Sequence, residues 1–423
     1  MKGRRRLFCP LLLGFLLPFI SSGQDTTKVK LNGTEGEVFR DKQTDTVPKG
    51  KYAHWNEFDG PLTTLKFGGG FLYEYAAYSQ DDVSKQQIDL EPDFKMRDFR
   101  VTMSGKFKFD RDVSWKIGIM YDGSTSSWFM RESGLMFGLP EISGKVFVGR
   151  TKEGYSLNKV MNGYSIWFME RDMAIDIIPI LADGIKYLGY LPKQRLLWNV
   201  GYFGDWLSHN QSFSTYSSTI AARVAFLPVY SSAFKPVLHV GVSFRHGVVE
   251  DGALLVRSRP EANPAPYFID TKKFSVKSSD HFGGELYYRN GPFIFGTEWN
   301  SHMMNSPEND NPVFTGGEVF IGYTFTGEVK PYFAELGIFS FIKVKRPVFK
   351  GGPGAWELVV RYSKLDLDDG KISGGTFWRI TPNLNWYMSD NVHFFLTYGY
   401  GKLNRYGLEG ATQFFQTRIL FML

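Results

Sequence analysis

From about Leu62 to the last residue the chain alternates large apolar side chains with small or polar ones, segment after segment. Val113, Trp115, Ile117, Ile119 and Tyr121 share one face, against Ser114, Lys116, Gly118 and Asp122 on the other. Leu238, Val240, Val242 and Phe244 oppose His239, Gly241, Ser243 and Arg245. Trp378, Ile380, Leu384 and Trp386 oppose Arg379, Thr381, Asn383 and Asn385, and Phe415, Thr417, Ile419, Phe421 and Leu423 oppose Gln416 and Arg418. Successive side chains of a β-strand point to opposite faces, so a period of two marks strands with one apolar and one polar side. Turn signals such as Phe109-Asp110-Arg111-Asp112, Asn290-Gly291-Pro292 and Ser389-Asp390-Asn391 punctuate them. No amphipathic helix longer than about two turns emerges between the strands.

One alternating strand fits a soluble sandwich as well as a barrel. About sixteen of them, with short turns alternating with longer connections, fit a membrane barrel. The expected starts lie near residues 64, 95, 113, 128, 144, 183, 196, 217, 234, 280, 292, 312, 355, 374, 391 and 411. The expected fold is therefore all-β, a transmembrane antiparallel β-barrel of about sixteen strands over residues 61–423. Three connections are long, at about 153–182, 248–279 and 328–354. Loops of that length in a compact fold are usually functional, and in a wide barrel they can fold inward and narrow the lumen. The strand count puts the first two outside the cell. The third falls on the side of the short turns, which makes it the most suspect for insertion.

The N-terminus supplies the compartment. Lys2, Arg4, Arg5 and Arg6 precede an apolar run from Leu7 to Ile20 and then Ser21-Ser22-Gly23, the three regions of an export signal over residues 1–23. No apolar run reaches the roughly 18–20 residues of a membrane helix. Residues 24–60 are polar and read as a mobile segment. The single cysteine, Cys9, lies inside the export signal, so no disulfide framework and no thiolate zinc site follow. A pI near 9.0 first suggests nucleic acid. Loss of the signal removes four of the 49 basic residues, which lowers the excess over 43 acidic ones from +6 to about +2. A nucleic-acid partner is thereby excluded. The 43% hydrophobic content, with 17% aromatics, also excludes disorder.

Several segments resemble one family. Gly149-Arg150-Thr151-Lys152-Glu153 leading to Phe168-Met169-Glu170-Arg171 is similar to a strand end, inward loop and signature of the phosphate-selective porin O and P family of Gram-negative outer membranes. Gly354-Ala355-Trp356-Glu357-Leu358, Arg361-Tyr362-Ser363 and Leu365-Asp366-Leu367 resemble its C-terminal strand pair. Phe325-Thr326-Gly327-Glu328 with Pro331-Tyr332, and the stretch from Arg257 to Pro264, resemble further parts of it. The resemblance spans roughly residues 61–423. It implies a sixteen-stranded homotrimer in the outer membrane, bounded by lipid and lipopolysaccharide, with a narrowed cationic passage for phosphate or similar small anionic solutes. Arg97-Asp98-Phe99-Arg100 departs from the family's run of arginines by one carboxylate, and Leu423 stands where a terminal aromatic is expected.

If the apolar faces meet lipid, the polar faces line water. Arginine suits such a path, because its planar fork stays charged and replaces part of an oxyanion's hydration. The anion-path candidates are Arg100, Arg150, Lys152, Arg171, Lys345 and Arg346. Arg289, Arg361, Glu357 and Glu318 are read as wall charges that pair across strands. Lys343, Lys345 and Arg346 have a second reading, an exposed basic turn near lipid headgroups. Seven histidines are scattered without metal-ligand spacing, so no enzyme, metal or cofactor is expected. His239 and Ser243 lie four apart on one face without a third catalytic partner. Two other functions stay open: a general or sugar porin with an aromatic slide, and a non-transporting barrel plugged by its own loops.

Overall fold

The computed structural model describes residues 51–206 and 215–423; the export-signal reading lies outside them. Sixteen antiparallel strands close into one barrel. They are β1 (Thr64–Gln80), β2 (Asp93–Lys106), β3 (Val113–Asp122) and β4 (Ser133–Leu139, continued toward the rim by Ser127–Met130). β5 (Gly144–Thr151), β6 (Ala182–Leu191), β7 (Leu196–Gly204) and β8 (Tyr216–Val229) follow. β9 (Val237–Val249), β10 (Ser278–Asn290), β11 (Phe293–Asn305) and β12 (Val313–Thr324) come next. β13 (Ala355–Asp369), β14 (Ile372–Tyr387), β15 (Val392–Arg405) and β16 (Leu408–Met422) complete the wall. β16 returns to β1, from Thr412 opposite Gln80 to Met422 opposite Gly70, so these strands leave no open edge in the membrane. Every expected strand start lies within three residues of an observed one.

Burial confirms which face is which. Val242 is 63% exposed and Ile321 50%, whereas Arg245, Arg361 and Arg379 are at most 1% exposed. An apolar exterior around a charged interior is the pattern of a membrane barrel, the reverse of a water-soluble one. One end carries the start of β1, the end of β16 and turns of two to seven residues at 107–112, 140–143, 192–195, 230–236, 291–292 and 388–391. Short turns mark the periplasmic end. Residues 51–60, read from sequence as part of a polar irregular segment, instead include strands Lys51–His54 and Glu57–Asp59. The second pairs with the lower part of β1, below the point where β16 stops.

All three long connections enter the lumen. Residues 152–181 and 250–277 fold in from the long-loop end. Met173, Ala174, Phe268 and Ile269 pack there against Leu365, Phe377 and Phe414 of the wall. The third connection enters only in part: Tyr332, Phe339 and Ile342 are buried, while Lys345, Arg346 and Lys350 are exposed. Trp167, Tyr287, Phe320 and Phe339 stack where the first and third loops meet the wall.

The filling is lopsided. Inward positions of β9 (Val237, His239, Gly241, Ser243, Arg245) and β12 (Phe314, Gly316, Glu318, Phe320) are all buried. On β2 and β3 the inward Arg100, Thr102, Ser104, Ser114 and Lys116 are only half-buried, and Lys106 is exposed. The open part of the lumen therefore follows β1–β5, where a cavity of about 560 Å³ is lined by Lys66, Ser104, Lys106, Lys116, Met136 and Phe147, among others.

Candidate functional site

Three glutamates prepare the docking of the first loop. Glu285, Glu298 and Glu318 are direct partners across β10, β11 and β12. Like charges placed opposite one another in a sheet are destabilising unless something compensates them. Here the compensation is a short helical turn, Leu157–Val160, whose first N–H groups have no acceptor of their own. Leu157 N–H donates to Glu285 Oε2 at 2.6 Å and Asn158 N–H to Glu298 Oε1 at 2.7 Å. Asn158 Nδ2 donates to Glu318 Oε1 at 2.7 Å, and Ser156 Oγ to Glu298. Arg223 completes the row against Glu285 at 2.6 Å. Sequence alone singled out Glu318 of the three, as a wall charge. Their register, and their service to a loop more than a hundred residues away, needed the fold.

Docked in this way, the loop brings cations onto the open wall. A β-bulge makes Arg97 an extra residue between Asp98, opposite Leu72, and Met96, opposite Tyr73. Arg97, Asp98 and Arg100 consequently all take part in lumen contacts. Arg97 Nε donates to Glu170 Oε1 at 3.0 Å, and Arg100 pairs with Asp98 at 2.5 Å. Asp98 also accepts from Tyr164 of the loop at 2.6 Å, and the Arg100 guanidinium lies 4.0 Å from that ring's centroid. Gly70 makes room for the ring, because a Cβ there would stand 2.8 Å from Tyr164 and 2.4 Å from the Phe421 carbonyl. A Cβ on Gly163 would lie 3.7 Å from both the Arg100 and Arg171 guanidiniums, which fixes the point where the two converge.

Arg171 Nη2 donates to the Met161 carbonyl at 2.8 Å, and Lys152 Nζ reaches the same oxygen. Arg100 Nε and Arg171 Nη1 are buried without a protein hydrogen-bond partner among the described residues. The local field is positive: burial, then Arg131 and Arg100, push the Arg171 pKa down. Burial, then Arg171, pushes Lys152 well below the usual ammonium range. A group that disfavours its own positive charge at a cluster of cations is stabilised by an anion placed beside it.

The other candidates divide. Arg150 is locked to Asp183 on the neighbouring strand by two hydrogen bonds, of 2.7 and 3.0 Å. Lys345 and Arg346 lie exposed at the short-turn rim, away from the cluster. Arg361 pairs with Glu318 at 3.1 Å, as the wall reading expects, and also with Glu261 of the second loop at 2.5 Å. Arg289 donates to the Phe234 and Ala233 carbonyls at 2.8 and 3.0 Å rather than to a carboxylate. Glu357 accepts from Asn385 and Tyr387 at 2.9 and 2.6 Å. His239 bonds Tyr332 at 2.6 Å while Ser243 accepts from Ser156 N–H at 3.1 Å, so both serve loop docking. His281 and His302 meet across β10 and β11 with their Nδ1 atoms 2.7 Å apart, a cross-strand pair that spacing along the chain does not reveal.

Lys330 ties the third loop to the first: its Nζ donates to the Ile166 carbonyl at 3.3 Å and sits 4.7 Å from the Trp167 ring centroid. Burial pushes its pKa down to about 8, against the raising pull of Glu357. An unfolded lysine titrates at about 10.4, so between about 8 and 10 the folded state holds fewer protons and stability rises with pH. Lys330→Met should therefore leave the denaturation midpoint at pH 7 unchanged or higher and flatten that rise. A lower midpoint with the rise intact would contradict this account.

Comparison with known proteins agrees with the geometry. The family model described as phosphate-selective porin O and P matches residues 65–423. Porin O of Pseudomonas aeruginosa is 22% identical over 330 residues, covering 69% of this chain and 73% of that protein. An uncharacterized protein of Caulobacter vibrioides is 31% identical over 166 residues, which are 38% of this chain and only 33% of that relative's length. In fold, the trimer form of OmpT, an outer-membrane protein of Vibrio cholerae, covers 86% of this chain and 100% of its own, with TM-score 0.54 and 13% identity. The closed sixteen-stranded wall, the charged interior behind a lipid-facing exterior and the match over residues 65–423 together place this chain in the phosphate-selective porin O and P family of outer-membrane channels.

Proposed function

We propose that this porin passes small anions by passive diffusion along the β1–β5 side of its lumen, with phosphate or related oxyanions preferred. The observation that carries the reading is the convergence of Arg100 and Arg171 at Gly163, each with a buried N–H donor that has no acceptor among the described residues. Arg97, Arg131 and Lys152 stand around them, and the half-buried inner faces of β2 and β3 continue toward the periplasmic cavity. A permeation site must bind enough to admit an ion and weakly enough to release it, and Arg100 and Arg97, partly satisfied by Asp98 and Glu170, meet that condition. An aromatic slide is less well supported, because Trp167, Tyr287 and Tyr332 in the lumen are at most 4% exposed, Trp167 stacking on Tyr287 and Tyr332 packing edge-on against Phe339. The working unit is proposed to be a homotrimer in the outer membrane, in keeping with the trimer form of the structurally similar OmpT. In a planar bilayer with a KCl gradient, the reversal potential should report anion preference, and added phosphate should reduce the chloride current. A cation-selective potential, or the absence of any channel steps, would sink the proposal.

A further inference from the structure

The end of the third connection stays out of the lumen and folds over the lower edge of the wall. Gly354 N–H donates to the Arg346 carbonyl at 3.0 Å and Val348 N–H to the Met388 carbonyl at 2.8 Å, which lays residues 346–354 against β13 and β14. Trp356 and Trp386 are partners across these strands, on the face opposite the buried Ala355 and Tyr387. Their rings stack 5.0 Å apart at 17°, and both indole N–H groups donate to the Pro353 carbonyl, at 3.0 and 2.9 Å. Phe349 beside them is 66% exposed and Phe325 on the adjoining turn 61%.

Around these rings stand Lys345, Arg346 and Lys350, all exposed. Lys345 Nζ is steadied by the Gly327 carbonyl at 2.7 Å. No carboxylate pairs with Arg346 or Lys350 among the described residues, whereas Lys343 nearby is paired with Asp390 at 3.2 Å. Outward tryptophans mark the water–lipid boundary, where an amphipathic ring has one wet and one apolar side. Cations just beyond such a belt lie at the depth of lipid phosphates, for which a guanidinium and two ammoniums are complementary.

We propose that this edge seats the headgroup of an anionic glycerophospholipid from the periplasm-facing leaflet, with its phosphate on Arg346, Lys345 and Lys350 and its acyl chains along Trp356 and Leu358. The site does not depend on which solute the lumen carries. An anionic wall polymer such as peptidoglycan would meet the cations but leave the lipid-facing rings idle, so a lipid is the occupant that engages both.

The test uses the purified protein in detergent, titrated with phosphatidylglycerol or phosphatidylethanolamine and read by native mass spectrometry. Phosphatidylglycerol should bind preferentially. R346Q/K350Q should weaken it by about twenty-five-fold at low salt, from about 1 kcal/mol, or fivefold, per cation, with heat-modifiable gel mobility and KCl reversal potential unchanged. Equal binding of the two lipids, or unchanged binding by the variant, overturns the proposal. So does a shifted reversal potential, which would return these cations to the ion path. Loss of sedimentation with isolated peptidoglycan, with lipid binding intact, would also overturn it by naming the polymer as partner.

Discussion

Arg361→Ala should lower the barrel's resistance to denaturation by about 3–5 kcal/mol, the usual cost of leaving buried charges uncompensated. It should also turn a steady channel into a fluctuating one. The arginine lies on β13 but holds both loops that enter from the long-loop end. Its Nη1 donates to Glu318 Oε2 at 3.1 Å and to the Glu170 carbonyl at 3.2 Å, and its Nη2 pairs with Glu261 at 2.5 Å. The guanidinium also lies 4.2 Å from the centroid of the Phe168 ring. Alanine leaves Glu318 and Glu261 buried without their shared cation and removes one anchor of the Glu170 backbone, while Arg97 and Arg418 still hold its carboxylate. Glu318 still accepts from Asn158, so the helical turn should stay docked while its downstream arm, residues 168–177, gains freedom. Single-channel records should then show larger and more variable conductance, and the folded band on an unheated gel should be lost at a lower temperature. Arg361→Lys should fall between, since an ammonium lacks the planar fork that serves three partners at once. Wild-type conductance noise and melting in R361A would show that the loops are held independently.

The wall was legible in the sequence because its physics is local. Each strand must present one face to lipid, so the choice between Val242 and Arg245 is written in adjacent residues. What fills the wall was legible only as loop length. Three connections were marked, but nothing local showed that the third divides at about Lys343, its first half under Trp167 and its second outside over Trp386. The candidates fared by the same rule. Arg100 and Arg171 converge because strand parity and the inward loop were both readable. Arg150 looked equivalent until register placed Asp183 directly opposite it. The bulge that adds Arg97 to the lumen is one extra residue in a ladder, invisible to an alternation count that tolerates slips.

Removing the two converging cations should have the largest effect on selectivity. At contact in a water-like medium a unit charge is worth about 1 kcal/mol to a neighbouring ion, or about fivefold in occupancy. R100A/R171A should therefore cut the chloride-over-potassium permeability ratio by more than tenfold and abolish block by phosphate, with some loss of heat stability because the buried Asp98 keeps only Arg97 as a cationic partner, at 4.0 Å. Neither residue carries the loop alone: Asp98 keeps its bond from Tyr164, and Lys152 keeps the Met161 carbonyl. Asp98→Asn supplies the opposite sign. It retains an acceptor for Tyr164 but removes the carboxylate that pairs with Arg100 at 2.5 Å, so the cluster gains one net positive charge and anion preference should rise. The pair of variants separates a conducting role from a structural one. If both shift the reversal potential in the same direction, loop displacement is the cause. If neither shifts it, ions take a route that avoids Gly163. Only opposite shifts, with phosphate block lost in the first and strengthened in the second, fit cations that hold the permeating anion itself.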